Sequence, residues 1–195
     1  HLAYLLENTH LQSNPSIPTT DFNFICDRIG TPIPADAARF GSRAHRLRNF
    51  WTNMAAAGHM LQVINNIHRQ PNLFVQDVLQ QGHRVQDEHR HFHHQAPYYE
   101  QTTAAEAGPT LVSYIGSRAF RPTTDGEPGV GQIYDSTTNT FIEPTVPERE
   151  LMLGYTENCT AAPGISHALR HGITGRCMDL NCLMHIIGIA HHLFL

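Results

Sequence analysis

The sequence lacks the features that would place it in several common classes of protein. None of its apolar runs approaches the roughly 18 residues that a membrane span requires. The four cysteines, Cys26, Cys159, Cys177 and Cys182, show no disulfide framework for a chain of 195 residues, so we expect reduced thiols inside the cell. A basic excess is also missing, because the formal net charge is −4. The net charge therefore does not indicate a nucleic-acid partner.

The composition that is present is that of a folded chain. Hydrophobic residues make up 41% and charged residues 15%, which favours a globular protein over a disordered tail. Fifteen histidines make the charge sensitive to pH, and protonating half of them would make the protein cationic. The formal charge therefore does not exclude a nucleic-acid partner either. The chain starts at His1 directly before the apolar run 2–6, and we expect a segment upstream to be missing from this sequence.

The hydrophobic pattern predicts alternating strands and helices. Residues 2–6 are typical of a strand buried on both faces, which delivers Glu7 and Asn8 at its C-terminal end. Open α/β sheets bind ligands at such ends. Thr19 to Asp21 and Gly30 are expected to begin and end a helix. The other predicted elements are a strand at 46–53, a helix from Pro71 to Gly82, a loop at 83–107, a strand at 110–115, a Gly/Pro loop at 122–131, and helices at 148–153, 166–173 and 178–194.

Four separated segments carry the residues of chemical interest. The segment 6–8 contains Glu7 and Asn8, and the segment 44–53 contains Arg46 and Arg48 ahead of Phe-Trp-Thr-Asn. Strand alternation places both arginines on the same face. The segment 148–155 reads Glu-Arg-Glu-Leu-Met-Leu-Gly-Tyr, and the segment 170–177 ends in Gly-Arg-Cys. Each segment alone is a weak signal, but the four in this order are far more specific.

In this order the segments resemble the DNA (cytosine-5) methyltransferase family, and its de novo type most closely. Residues 44–53 are similar to the Arg-x-Arg strand of that type, and residues 75–82 resemble a helix of its recognition region. The resemblance implies an α/β fold, the C-terminal part of a Rossmann-like S-adenosylmethionine-dependent methyltransferase. Residues 1–53 would hold the target-base pocket, 54–118 an inserted target-recognition region, and 119–195 the return to the catalytic domain.

The resemblance also assigns roles to single residues. The family adds a cysteine thiolate to the cytosine ring, which must then accept negative charge. Glu7, positioned by Asn8, would stabilise that charge on a base flipped out of the duplex. Arg48 would contact the ring carbonyl oxygen, and Arg46 would support Glu7 or a phosphate. The residues implied in S-adenosyl-L-methionine binding are Glu7, Gly175, Arg176 and Cys177.

Ordinary structural roles stay open beside these assignments. The Glu7-Asn8 pair alone favours a salt-bridged surface carboxylate at Glu7, and only the other segments favour catalysis. The ordinary role of the arginine pair is that of a solvated strand face. Arg176 is as typical of a plain loop arginine. Histidines at 83, 89, 91, 93 and 94 suggest zinc, but no cysteine lies near them in the sequence, so we predict a solvated recognition loop and no specific metal site.

Two elements of the family have no match in the sequence: the Phe-x-Gly-x-Gly cofactor loop and the Pro-Cys loop of the nucleophile. Truncation would place them upstream, and a permuted order like that of the rearranged plant enzymes would place them after Leu195. We therefore expect the chain alone to be inactive. The resemblance also implies that the intact enzyme is nuclear. The expected partners are DNA and the missing catalytic half of the same protein, with a homo- or hetero-oligomer left open.

Two alternatives come from other classes of protein. One is a non-catalytic DNA-binding or regulatory module derived from a methyltransferase. The other is a mobile-element protein that carries such a domain. The flanking sequence distinguishes them, because an intact Pro-Cys loop indicates an enzyme, whereas polymerase or integrase motifs indicate a mobile element.

Overall fold

Three small sheets organise the described part of the chain, which comprises residues 2–86, 90–92 and 98–194 of the computed structural model. The strands are β1 (Leu5–Thr9), β2 (Ile33–Asp36), β3 (Leu47–Thr52), β4 (His83–Val85), β5 (His91–Phe92), β6 (Thr102–Thr103), β7 (Ile133–Asp135) and β8 (Thr140–Ile142). The helices are α1 (Thr19–Ile29), α2 (Ala57–Asn65), α3 (Val146–Met152), α4 (His167–Arg176) and α5 (Leu180–Phe194). Helices packed on sheets make this an α/β fold, as expected.

The first sheet has the order β1-β3-β2, and β3 runs antiparallel to both neighbours. Consequently β1 and β2 run parallel to each other on either side of one antiparallel strand. The central position of β3 explains why Phe50 and Trp51, on opposite faces, are each only 2% exposed. The predicted strand at 46–53 is confirmed.

The prediction for the first strand is wrong in its position and burial. The strand begins at Leu5 rather than Leu2, and Glu7 and Asn8 lie within it instead of following it. It is an edge strand with one neighbour, and Leu6 is 47% exposed. The apolar run looked like a buried strand, but only one of its faces is covered within the part of the chain that is described.

Helices α2 and α5 cover one face of this sheet. Met60 and Ile64, four residues apart on α2, pack with Ile33, Phe50 and Ile186 in one apolar cluster. On the other face the Trp51 indole N–H donates to the Gly30 carbonyl at 3.0 Å, at the end of α1. Helix α1 confirms its prediction, whereas α2 was not predicted and places the start of the predicted recognition region in the first core.

A second core lies beneath the sheet β4-β7-β8 and contains Val75, Leu111, Phe120, Met152 and Leu153. The predicted helix from residue 71 to 82 is reduced to a 3-10 helix at Val75–Val78, and the predicted strand at 110–115 is wrong. Its apolar residue Leu111 fills this core from irregular backbone. The sheet joins residues on both sides of the predicted boundary between 118 and 119.

The three C-terminal helices confirm their predictions to within a few residues. Helix α3 begins with a capping box, in which the Thr145 N–H donates to Glu148 Oε2 at 2.7 Å. Helix α4 begins at Ser166, whose hydroxyl accepts from the Leu169 N–H at 3.2 Å. No helix within residues 2–86, 90–92 and 98–194 is both long and apolar enough to cross a membrane.

The packing of α4 yields a prediction on two glycines of the same helix. A Cβ at Gly175 would lie 2.2 Å from the backbone at Val112 and Ser113, whereas a Cβ at Gly172 would lie 3.7 Å from the nearest atom. Gly175→Ala should therefore lower the free energy of unfolding by about 2 kcal/mol or more, since backbone cannot move aside cheaply. Gly172→Ala, the matched control, should raise it by about 0.5–1 kcal/mol because alanine favours the helix. Urea denaturation of both variants checks this, and equal stabilities would contradict the packing.

Candidate functional site

Two residues predicted to be catalytic meet across β1 and β3. Glu7 Oε1 lies 3.0 Å from Arg48 Nε, and each side chain is 13% exposed. Thr9 pairs with Arg48 in the strand register, so Glu7 is the diagonal neighbour of the arginine on the same face. That face also carries Phe50 and is covered by α5. The structure thus forms a partly buried ion pair from two separate sequence motifs.

The surroundings of Arg48 lower the pKa of its guanidinium group. Burial is the main cause that lowers its pKa, and the nearby Arg46 lowers it further, while Glu7 opposes the shift. Arg48 Nη1 donates to the Leu47 carbonyl at 2.8 Å. The guanidinium is thus held by both Glu7 and the Leu47 carbonyl.

Arg46 connects β3 to the segment predicted to bind the cofactor. Its side chain is 3% exposed, and Nη1 donates to the Gly175 carbonyl at 3.4 Å. Its Nε has no hydrogen-bond partner among the described residues. Beyond Gly175, Arg176 is exposed, and the Cys177 thiol donates to the Thr174 carbonyl at 3.4 Å. Arg46 thus contacts Gly175, not Glu7 as one of its two predicted roles requires.

Asn8 lies on the opposite face of β1 from Glu7, because neighbouring residues in a strand alternate. Its Oδ1 accepts from the Thr9 N–H at 2.7 Å, and within the described structure no contact joins its side chain to Glu7. The predicted positioning of Glu7 by Asn8 therefore has no geometric support, and Arg48 holds the carboxylate instead.

A buried network that the sequence analysis did not identify lies beside the arginines. Asp36 Oδ2 lies 2.7 Å from His45 Nδ1, and both side chains are fully buried. His45 Nε2 lies 2.8 Å from Thr102 Oγ1, and Asp36 Oδ1 accepts from the Arg46 N–H at 2.8 Å. The network ties β2 and the start of β3 to the segment around Thr102. Its one sequence signal was the position of His45 directly before the Arg-x-Arg strand.

Asp179 is a second buried carboxylate near Arg46. Burial raises its pKa to about 6, with Asp36 adding to the shift and Ser42, the Cys182 N–H and Arg46 opposing it. Its Oδ1 accepts from the Cys182 N–H at 2.9 Å in the first turn of α5, which is a capping role. Its Oδ2 has no hydrogen-bond partner in the described residues.

None of the four cysteines is an activated nucleophile. Burial raises the pKa of Cys26, Cys159 and Cys177, and raises that of Cys182 well above its ordinary value. A raised pKa reduces the thiolate, which is the reactive form.

The histidine-rich stretch shows no metal site in its described part. Within residues 2–86, 90–92 and 98–194 no group of three or more His, Cys, Asp or Glu side chains could hold a metal ion. His83 Nδ1 lies 2.7 Å from Glu148 Oε1, which occupies that ring nitrogen in a contact within the chain. His89, His93 and His94 lie outside the described residues.

The fold resembles that of a methyltransferase of known structure. The chain is similar to the crystal structure of S. pombe Dnmt2 methyltransferase, with a TM-score of 0.58 and 11% sequence identity over 97% of this chain. It covers 66% of that chain, slightly less than two thirds of its length. No model of a protein family matches the sequence, and no curated protein matches it. The likeness therefore shows the fold, and the chemistry has to be argued from the site.

The buried network predicts that His45 is a stability determinant. His45→Ala should lower the free energy of unfolding by about 3 kcal/mol or more, since it leaves the Asp36 carboxylate buried without its ring partner. His59→Ala on the exposed side of α2 is the matched control and should change it by less than about 0.5 kcal/mol. Chemical denaturation measures both, and a small loss at His45 would contradict the network.

The raised pKa of Asp179 predicts how stability varies with pH. The folded protein holds this proton up to about pH 6, whereas the unfolded chain loses it near pH 4, so folding stability falls as pH rises between these values. Asp179→Asn should remove this fall and leave the variant more stable than the wild type at pH 7, by up to about 3 kcal/mol. Thermal unfolding of both proteins from pH 4 to 7 tests this, and parallel profiles would refute the assignment.

Proposed function

We propose that the chain is the C-terminal part of a DNA (cytosine-5) methyltransferase and holds its target-base pocket. The observation that carries the proposal is the Glu7–Arg48 ion pair at 3.0 Å, set on a strand pair of a methyltransferase fold. A carboxyl group and a guanidinium fixed beside each other on one sheet face match the polar edge of cytosine, which presents donors and an acceptor.

Glu7 and Arg48 divide the recognition of the base between them. Glu7 binds the ring nitrogen and the exocyclic amine, where it stabilises the charge that develops when the ring is attacked. Arg48 donates to the ring carbonyl oxygen. Because this pair lies within the fold, the target base has to leave the duplex to reach it. Arg46, held by Gly175, fixes the start of β3 and so the direction of Arg48.

The residues beside Gly175 fit the charged end of S-adenosyl-L-methionine, a carboxylate and an ammonium group. Two buried polar atoms there, Arg46 Nε and Asp179 Oδ2, have no partner in the described residues, and they carry charges of opposite sign. Gly175, Arg176 and Cys177 would hold the cofactor together with Glu7. When bound, the cofactor supplies the methyl group. Packing also requires a glycine at position 175, because Gly175 lies against the backbone of Ser113.

The nucleophile has to come from another part of the intact protein, because none of the four thiols of this chain is activated. The missing catalytic half is the partner we propose for the free edge of β1. That strand pairs with β3 alone among the described strands, and an unpaired edge readily accepts a further strand. Glu7 lies on β1, so such a strand would complete the pocket.

We further propose that the inserted segment 54–118 reads the DNA around the flipped cytosine and that the enzyme acts in the nucleus. The coupling of Thr102 to His45 supports the first point, because it connects this segment to the arginine strand. The boundaries of the segment remain predictions. Helix α2 packs in the first core, and β4 pairs with β7. The surface that reads the DNA would therefore lie between α2 and β4.

The proposed role of Glu7 predicts a large effect on methyl transfer. In the intact protein, Glu7→Gln should lower turnover at least about 100-fold, because the amide cannot share a proton with the ring. Glu157→Gln changes an exposed glutamate in the same way and should leave turnover within twofold. Transfer of a labelled methyl group to duplex DNA measures both. Near-normal turnover of a folded Glu7→Gln variant would remove the catalytic assignment.

A further inference from the structure

The outer face of the sheet β4-β7-β8 carries a row of three side chains that the base pocket does not use. Arg84 pairs with Tyr134 in the register of β4 and β7, and Tyr134 pairs with Phe141 in the register of β7 and β8. Residues in register share one face. The neighbouring positions point to the opposite face, where Val85 packs against the second core and Ile133 is 3% exposed.

The three side chains of this row contact one another. The Arg84 guanidinium lies 4.5 Å from the Tyr134 ring centroid, and the Tyr134 and Phe141 rings lie 5.4 Å apart at 62°. The Tyr134 hydroxyl donates to Asn139 Oδ1, which fixes the ring. Arg84 is exposed, Phe141 is 39% exposed, and Arg84 makes no ion pair with a described residue. An aromatic surface beside an unpaired cation thus faces solvent.

A basic cavity of about 780 Å³ lies in the loop that leads into β7, and its lining includes Arg118, Arg121, Thr123 and Thr124. One side chain joins this loop to the row. Gln132 Oε1 accepts from the Gly129 N–H at 2.7 Å, and Gln132 Nε2 donates to the Phe141 carbonyl at 3.2 Å. The position of the cavity relative to β8 is therefore set by hydrogen bonds.

The charges of this loop are divided in a way that favours an anion in the cavity. Arg118 and Arg121 are exposed and make no ion pair within the described residues. The acidic residues of the loop, Asp125 and Glu127, are exposed as well, but neither lines the cavity. The chain contains no lysine, so its permanently charged basic side chains are all guanidinium groups, which bind phosphate in a bidentate way and stack on planar rings.

We propose that Arg84, Tyr134 and Phe141 form a stacking platform for an unpaired base of a nucleic-acid strand, whose phosphates lie in the Arg118–Arg121 cavity. Aromatic rings with adjacent guanidinium groups are the usual means of holding unstacked bases, since every base has a π face. The platform lies outside the predicted recognition segment except for Arg84. The inference rests on the proposed function in one respect, the choice of a nucleic acid as partner.

The alternative role of the row is internal, because aromatic pairs across strands also stabilise a short hairpin. The two roles differ in what they predict for substitutions. A purely structural row should affect unfolding and leave binding unchanged in the folded variants. A platform should affect the affinity for unpaired bases even where the hairpin remains stable.

Fluorescence anisotropy of the chain with a labelled single strand of about 12 nucleotides, and with the duplex of the same sequence, tests the proposal. Phe141→Thr and Arg84→Ala should each weaken single-strand binding about fivefold or more, with a smaller effect on the duplex. Tyr134→Phe retains the ring and should bind like the wild type. The double change Arg118→Ala/Arg121→Ala should weaken both probes and reduce the dependence on salt.

The matched control is Arg28→Ala on α1, where the guanidinium lies 5.1 Å from the Phe24 ring centroid, in a cation–π pair that is not part of the sheet β4-β7-β8. It should bind both probes within twofold of the wild type. If the folded Phe141→Thr and Arg84→Ala variants bind the single strand like the wild type, the platform is refuted while the proposed function stands. If the wild type binds neither probe at millimolar concentration, the nucleic-acid partner and the platform fail together.

Discussion

The Asp36 carboxylate is the constraint on which the rest of the site depends. A buried charge has to be satisfied by its neighbours, because the fold offers it little water. Asp36 accepts from the Arg46 N–H at 2.8 Å and from the Glu100 N–H at 3.1 Å, and it lies 2.7 Å from the His45 ring. These contacts leave little freedom to the backbone entering β3. The positions of the two arginines that follow are therefore set before any ligand is bound.

The two arginines at the start of β3 contact separate parts of the molecule. Arg48 reaches Glu7 on the edge strand, and Arg46 reaches the Gly175 carbonyl in the last turn of α4, 129 residues away in sequence. The same network includes Thr102, in the segment proposed to read nucleic acid. Hydrogen bonds thus join Thr102 to His45 and Asp36, and through the Arg46 N–H to the segment that carries both arginines.

The sequence predicted the parts whose signals are local. Strand β3, helix α1 and the C-terminal helices follow from alternation, caps and glycine stops. The family resemblance placed Glu7 and Arg48 in one pocket, but it gave the support of Glu7 to Asn8 and Arg46 rather than to Arg48. The predictions failed where contacts between residues far apart in sequence determine the local structure. The run 2–6 became an edge strand because one face is uncovered, Leu111 fills a core without forming a strand, and α2 and the hairpin 133–142 were not predicted. Asp36, His45 and Asp179 were missed because their partners lie far away in sequence.

The central claim, that this chain is one half of a cytosine methyltransferase, is tested most directly by sequencing the full-length transcript through both ends of the reading frame. The account predicts a glycine-rich cofactor loop and a Pro-Cys loop in the same frame, on either side of residues 1–195. Together they would supply the activated thiol that the four cysteines of this chain do not provide. A complete reading frame without either loop would contradict the claim and leave a module that has the fold of a methyltransferase but no catalytic function.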